Sequence, residues 1–381
     1  MLLSCHQRKA SVLPLSLLAL PLAAYVAAGP SAAFAQGLES AAWSRPDAAG
    51  PIIKPDPQST FRDDFHAEPV RWRALHAFNP AAVVRNGRVH VLFRAEDDTG
   101  ERKIGGHTSR LGIAVSEDGM HFEVAPEPVF YPSKDAEEPR EWPGGVEDPR
   151  IVEAGDGTYV MAYTQWNRKI FDVGIATSKD LVHWQKWGPA FYRSHGGKYR
   201  NLAYKSAGIL TTLQGGRLLA ARINGKYLMY WGEGRVGLAT STDLVHWDPV
   251  EDKNGQPVVV LSKRPGYFDS ELPEVGPPPV LEKDRIVLLY NGKNAETRRD
   301  EALPPGTYAT GVAVFRADAP EKLLSRSSRP VFKPELPFEQ TGQYSAGTTF
   351  AEGLVFYQDR WLLYYGCADS LVGVAVSGTR R

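Results

Sequence analysis

The sequence predicts an all-β fold, a five-bladed β-propeller, on three observations: a recurring twelve-residue pattern, short strand-like runs between its copies, and no long amphipathic helical pattern. The stretch Leu111-Gly-Ile-Ala-Val-Ser-Glu-Asp-Gly-Met-His-Phe122 returns as Val173-Gly-Ile-Ala-Thr-Ser-Lys-Asp-Leu-Val-His-Trp184 and as Val236-Gly-Leu-Ala-Thr-Ser-Thr-Asp-Leu-Val-His-Trp247. Two shorter echoes follow, Thr310-Gly-Val-Ala-Val and Val372-Gly-Val-Ala-Val, so the anchoring residues are Gly112, Gly174, Gly237, Gly311 and Gly373, spaced 62 to 74 residues apart. Each copy joins an apolar β-branched run, a Ser-x-Asp turn and an aromatic residue that opens a second extended segment, which is a hairpin signature. Between the copies lie Arg88-Val-His-Val-Leu-Phe-Arg94, Thr158-Tyr-Val-Met-Ala-Tyr-Thr164, Arg285-Ile-Val-Leu-Leu-Tyr-Asn291 and Arg360-Trp-Leu-Leu-Tyr-Tyr-Gly366. Four strands fit each interval, and radial repetition of four-stranded sheets leaves only short, protected edges. A ligand site is expected at the mouth of the central channel.

Taken in order, the chain opens with Arg8 and Lys9, then an apolar run from Val12 to Val26, then Ala33-Phe34-Ala35 before Gln36. This is the pattern of a secretory signal peptide over residues 1–35, with an A-x-A cleavage site. A membrane anchor is the rival, but Pro14 and Pro21 interrupt the run and small residues end it. A periplasmic or secreted protein is therefore expected, with no membrane span after cleavage. Residues 36–70 are rich in Pro, Ala, Ser and Asp without a strand period and read as a leader segment able to wrap a blade. The propeller domain occupies residues 71–381. Pro277-Pro-Pro279 and Leu303-Pro-Pro-Gly306 are loops, the second lengthening the interval before the fourth copy.

Cleavage removes Cys5 and leaves Cys367 alone, so no intramolecular disulfide is available. Lys plus Arg equals Asp plus Glu at 44 each, which leaves no basic field for nucleic acid or anionic lipid and points to a neutral partner. The aromatic content suits carbohydrate stacking, although strand aromatics are more often core. Oligomeric state is not legible.

Acidic residues gather at strand ends in Phe93-Arg-Ala-Glu-Asp97, Gly145-Val-Glu-Asp-Pro-Arg150, Phe268-Asp-Ser-Glu-Leu-Pro-Glu274 and Gly366-Cys-Ala-Asp369. H-E-x-x-H, Walker, dinucleotide-binding and G-x-S-x-G patterns are all missing from the sequence, so no metal or cofactor is expected and carboxylate chemistry remains. Glycosyl transfer needs a protonated carboxyl and a carboxylate nucleophile or base. Asp148 is the best acid by its surroundings: Pro149 fixes the chain after it, and Glu147 should raise its pKa by repulsion while Arg150 opposes. Spacing alone leaves this reading level with a buried Asp-Arg pair that holds a turn. Asp118, Asp180 and Asp243 with His121, His183 and His246 recur in every strong copy and read as turn residues. Trp142, Trp166 and Trp231 fall outside the repeat and are candidates for sugar stacking.

The motifs Asn79-Pro-Ala81, Arg94-Ala-Glu-Asp97, Ser109-Arg-Leu-Gly112, Gly145-Val-Glu-Asp-Pro-Arg150, Gly225-Lys-Tyr227, Asp269-Ser270, Gly276-Pro-Pro278, Leu289-Tyr-Asn-Gly292 and Tyr364-Tyr-Gly-Cys-Ala-Asp369 occur in one order over residues 75 to 377. Together they resemble glycoside hydrolase family 130. The resemblance implies a five-bladed propeller acting on β-mannosides with inversion, with Asp148 as general acid working through a hydroxyl of the bound mannose. It also implies mannose-holding roles for Arg94, Asp97, Arg110, Glu147, Asn291 and Asp369. Asn79, Arg150, Lys205, Trp231 and Asp269 complete the expected substrate-binding set.

Phosphorylases of that family typically follow the Gly-Lys-Tyr strand with a His-Arg pair that holds phosphate. Here Trp231 and Gly232 stand in that place, while Glu233 and Glu274 resemble the glutamates of the hydrolytic members. A carboxylate repels phosphate and can deprotonate water. The expectation is an exported inverting β-mannosidase, with β-1,2-linked oligosaccharides as substrate, Asp148 as acid, and Glu233 and Glu274 positioning and deprotonating water. Lys205 is either a remnant of a cationic site or the partner of Glu233. Glu271 competes with Glu274 for the base role, and Glu352 is open. The rivals are a phosphorylase making mannose 1-phosphate and a mannan-binding propeller without catalysis.

Overall fold

Strands account for nearly all regular structure in a computed structural model of the chain, which describes residues 37–46 and 50–378. The signal-peptide reading of residues 1–35 lies outside them. The segment that follows begins with a short strand, β1 (Ala42–Ser44). Hydrogen bonding joins the described strands into sheets of four, six and fifteen strands, within which the chain forms five successive, mostly antiparallel groups.

The first group holds β2 (His76–Arg85), β3 (Arg88–Glu96), β4 (Ser109–Ser116) and β5 (Glu123–Val124). One helical turn, α1 (Glu138–Glu141), leads to the second: β6 (Gly145–Glu153), β7 (Tyr159–Trp166), β8 (Phe171–Ser178) and β9 (Trp184–Pro189). The third is the most broken, with β10 (Ala207–Ile209), β11 (Thr211–Gln214), β12 (Arg217–Ala220), β13 (Arg222–Ile223), β14 (Lys226–Trp231), β15 (Arg235–Ser241), β16 (Asp248–Pro249) and β17 (Val259–Ser262). The fourth comprises β18 (Leu272–Val275), β19 (Val280–Glu282), β20 (Arg285–Lys293), β21 (Tyr308–Arg316) and β22 (Leu323–Arg326). The fifth has β23 (Thr349–Tyr357), β24 (Arg360–Cys367) and β25 (Leu371–Gly378), and β1 pairs along β25 as its fourth strand. The leader thus covers an edge that would otherwise be open. Short parallel contacts of β4 with β6, β6 with β12 and β11 with β19 link the groups.

The recurring pattern has a local cause. In the turn after β8, the Ser178 hydroxyl accepts from the Asp180 and Leu181 amides, while Asp180 Oδ1 accepts from Val182 and His183. The second Asp180 oxygen meets His183 Nδ1 at 2.7 Å. The same bonds recur at Ser116, Asp118 and His121, and at Ser241, Asp243 and His246. Side-chain oxygens that capture backbone amides define such a turn, so these Asp and His residues are structural, as their periodicity indicated.

Five apolar clusters lie between neighbouring groups. Ala81 and Leu92 of the first meet Ile151 and Met161 of the second; Val160 and Ile175 meet Met229 and Ala239; Leu228 and Tyr230 meet Leu288 and Phe315; Val287 and Val314 meet Leu354 and Leu363. The last cluster joins Leu362 and Val374 of the fifth group to Val89 and Val91 of the first. Each sheet therefore buries both faces. Polar side chains that act are left the inner strand ends, where register shifts break the ladders of β2, β6 and β23.

Candidate active site

Three inner strands carry one bulge each, and each bulge presents a polar side chain. The shift in β2 surrounds Asn79 (φ 46°), that in β6 surrounds Asp148 (φ 49°), and that in β23 surrounds Glu352. Bulges re-aim side chains out of the pleat, and Asn and Asp tolerate the left-handed region better than most residues. Asp369 (φ 50°) lies in the turn between β24 and β25. Together these elements frame a cavity of about 330 Å³.

One wall centres on Arg94. Its Nη2 lies 2.6 Å from Glu96 Oε1 and 2.8 Å from Glu147 Oε1, its Nη1 lies 3.3 Å from Asp148 Oδ1, and its Nε donates to Ser109 Oγ. The Asn79 amide donates to Asp148 Oδ1 at 2.8 Å. Gln343 donates to Glu96 and to the Asp369 carbonyl, closing this side.

The opposite wall is a lysine between two glutamates. Lys205 Nζ stands 3.3 Å from Glu233 Oε2 and 3.8 Å from Glu274 Oε1. Ser206 donates to Glu274 Oε1, while Glu274 Oε2 is buried with no hydrogen-bond partner among the described residues. The backbones of Glu233 and Glu274 pair in an antiparallel bridge, and the Gly234 amide donates to Pro273 O. Gly232 is required here: its φ is 109° and a Cβ would lie 2.4 Å from Arg235 O. Trp166, Phe171, Tyr308, Tyr344 and Phe350 form an aromatic rim suited to the apolar faces of a sugar.

Charge is unevenly distributed. Glu96, Glu147, Asp148, Glu233, Glu274, Glu352 and Asp369 gather around Arg94, Arg150 and Lys205. Burial raises Glu147 to about 7 despite Arg94, with Asp148 adding repulsion, and raises Asp369 to about 7. Burial likewise raises Glu274, and Glu352 well above the carboxylate range. Asp148 moves the other way, because Arg94, Lys205, Arg150 and the Asn79 amide together outweigh its burial. The neighbouring carboxylates Glu233 and Glu274 hold Lys205 firmly protonated against desolvation. Such a site holds protons on some carboxyls and withholds them from others, which is what acid–base catalysis needs.

Residues 47–380 match the family model described as β-1,4-mannooligosaccharide phosphorylase, Glyco_hydro_130. The chain belongs to glycoside hydrolase family 130. Within that family it is 31% identical to a 1,2-β-oligomannan phosphorylase of Thermoanaerobacter sp. (strain X514), over 80% of this chain and 90% of the relative. It is 47% identical, with a TM-score of 0.87, to the crystal structure of a glycosyl hydrolase from Bacteroides ovatus, covering 90% and 95% of the two chains. A further solved structure, at 47% identity, TM-score 0.88 and the same coverage, is described with the statement that the GH130 family of mannoside phosphorylases contains glycoside hydrolases that target β-1,2 mannosidic linkages in Candida mannan.

Of the residues expected to form the family 130 site, Asn79, Arg94, Glu147, Asp148, Lys205, Glu274 and Asp369 line the cavity. Glu233 lines an adjoining space of about 850 Å³ that shares Phe171 with it. Five others do not line either space, and each is held by protein groups, although Arg110 Nε is buried without a hydrogen-bond partner among the described residues. Arg110 pairs with Asp97 at 2.7 Å and with Asp63 at 2.5 Å. Asp269 accepts from Arg264, Arg326 and Tyr290. Asn291 exchanges two hydrogen bonds with Ala351. Arg150 donates to backbone carbonyls beneath the cavity.

Trp231 packs edge-on against Phe191 and Tyr204 and also lines the adjoining space with Glu233, Trp142 stacks on Phe65 at 3.9 Å, and Trp166 is the tryptophan at the rim of the cavity itself. Glu147, not Asp148, bears the raised pKa: burial raises it and Asp148 and Glu96 add repulsion there, whereas at Asp148 Arg94, Lys205, Arg150 and the Asn79 amide together outweigh burial. Glu271 pairs with Lys293 at 2.9 Å and lines the adjoining space, away from Asp148. The sequence reading missed Ser206, Gln343, Tyr308 and Tyr344. A signal for one position existed: Ser109, Phe171 and Tyr308 all stand three residues before an anchoring glycine, where the third strand of a repeat reaches the site.

Proposed function

We propose that this protein is an inverting β-mannosidase that hydrolyses β-1,2-linked manno-oligosaccharides and releases mannose, carried out of the cytoplasm by its N-terminal segment. The observation that carries the reading is the Glu233–Lys205–Glu274 cluster. A phosphorylase needs free positive charge where the nucleophile binds, but here the lysine faces two carboxylates. A neutral water suits that environment and a dianion does not.

The roles follow from position. Glu147 and Asp148 act as one acid unit: two adjacent carboxyls titrate together, with the proton resting on Glu147 and Asp148 delivering it. Glu274 is the base. Its Oε2 is free, it shares the cavity with Asp148, and its raised pKa strengthens it as a proton acceptor. Glu233 orients the water and holds Lys205. Arg94, Asn79 and Asp369 hold the mannose, with the aromatic rim on its faces. The fold behind this is a five-bladed propeller, a reading supported by five antiparallel groups and five cores that return from the last group to the first.

The second reading is a phosphorylase, favoured by Lys205 itself and by the phosphorylase named above. Incubation of the mature protein with β-1,2-mannobiose, with and without inorganic phosphate, separates the two. Equal release of free mannose in both supports hydrolysis, and mannose 1-phosphate formed only with phosphate overturns it. No product from any of a panel of β-mannosides would leave a binding role in place of catalysis.

A further inference from the structure

Arg150 and Glu352 are fully buried and neither lines the cavity, yet they connect the strands that carry its chemistry. The Arg150 guanidinium donates from Nε to Gly276 O at 3.1 Å and from Nη2 to Val275 O at 2.9 Å. Its Nη1 donates to the carbonyl of Asp148 itself at 2.9 Å and lies 2.6 Å from Glu352 Oε1. One planar group thus grips the peptide of the proposed acid and the two peptides that follow the proposed base. Glu352 sits in the bulge of β23, where Asn291 clamps the preceding Ala351 by bonds of 3.0 and 2.9 Å. Close backbone approach tightens the joint: a Cβ on Gly276 would come within 2.6 Å of Leu289 O and 3.2 Å of Ala351 O.

A buried carboxyl with no partner besides one arginine is costly, and well-packed apolar residues in place of the whole pair would be at least as stable. What the carboxyl adds is direction, because it holds the arginine fork against three backbone oxygens. We infer that Glu352 and Arg150 form a strut that sets the separation of Asp148 and Glu274, and that both are positioning residues for glycosyl transfer. The inference rests on the acid and base assignments above and holds for water or phosphate as nucleophile. An inverting enzyme needs its carboxyls roughly 6.5–9.5 Å apart, and a misplacement of about 1 Å can cost about 100-fold in rate.

The test uses E352A, E352Q and R150K, with D148N as control, assayed on β-1,2-mannobiose with and without phosphate. E352A frees the fork, R150K keeps the charge but cannot span three carbonyls, and E352Q keeps an acceptor for Nη1. The expected result is a loss of about 100-fold in kcat for E352A and R150K with KM within about threefold, and recovery to within about threefold of the parent in E352Q. Cooperative melting confirms that the variants are folded. Parent-like kcat in E352A or R150K, or a loss expressed in KM alone, overturns the strut. If D148N keeps parent activity, the acid assignment fails instead, whatever residue 352 does. Should E352A not fold, R150K against E352Q carries the same comparison.

Discussion

Replacing Glu274 by Gln removes the proposed base with little disturbance of its surroundings. Gln keeps the acceptor for Ser206, and Lys205 keeps Glu233 at 3.3 Å. The lost attraction between Glu274 and Lys205 at 3.8 Å is about 4 kcal/mol at an effective dielectric of ~20. Against it stands the desolvation of a fully buried carboxylate, several kcal/mol in real proteins. Burial and the repulsion of Glu233 together outweigh Lys205 and raise Glu274 above its ordinary value, so the variant should melt at or above the parent temperature. Its rate should nonetheless fall by about 10²–10⁴ in kcat, the contribution of a positioned general base. KM should stay within a few-fold, since Arg94, Asn79 and Asp369 are untouched. Mannose release from β-1,2-mannobiose gives both constants, and added azide, a small anion able to take the place of activated water, should restore part of the rate. A folded E274Q variant within about tenfold of the parent would refute the assignment, and a far larger loss in E233Q would move the base to Glu233.

The remaining predictions concern pH and packing. The rate should be bell-shaped in pH: the acidic limb lies above the ordinary Glu value because Glu274 is raised, and the basic limb lies near 7 because Glu147, raised to about 7, must supply a proton. A plateau of kcat/KM extending beyond pH 9 would refute the Glu147–Asp148 unit. Stability should fall as pH rises from about 4.5 to 7, because Glu141, Glu147 and Asp369, each raised to about 7, bind more protons in the folded than in the unfolded chain over that window. A melting temperature at pH 8 equal to or above that at pH 5 would contradict this. In R45A, Glu339 loses an ion pair at 2.7 Å that ties the N-terminal segment to the fold, at a cost of about 3 kcal/mol; denaturant unfolding should show that loss while kcat at 25 °C stays unchanged.

What the sequence by itself determined is what depends on neighbours along the chain. Period-2 runs and Ser-x-Asp-x-x-His turns have local causes, so the strands, the repeat and the structural role of Asp118, Asp180 and Asp243 were legible without coordinates. Glu-Asp-Pro-Arg and the family resemblance singled out Asp148, which lies at the bulge near the start of β6 and lines the cavity, and Lys205 could be matched to Glu233 as one of two stated roles. Only the tertiary structure decided which polar residues face the cavity and which are spent on one another. Arg110 finds Asp63 forty-seven residues away, Asn291 finds Ala351 sixty away, and Arg150 reaches Val275 across 125. Each such pairing arises because separate strands converge at one point, and no local pattern records that. The same convergence reversed the expected order of Glu147 and Asp148: a pKa inside a cluster follows every charge around it, and Glu96, brought by a separate strand onto the shared Arg94, adds repulsion at Glu147 while the Asn79 amide reaches Asp148 at 2.8 Å.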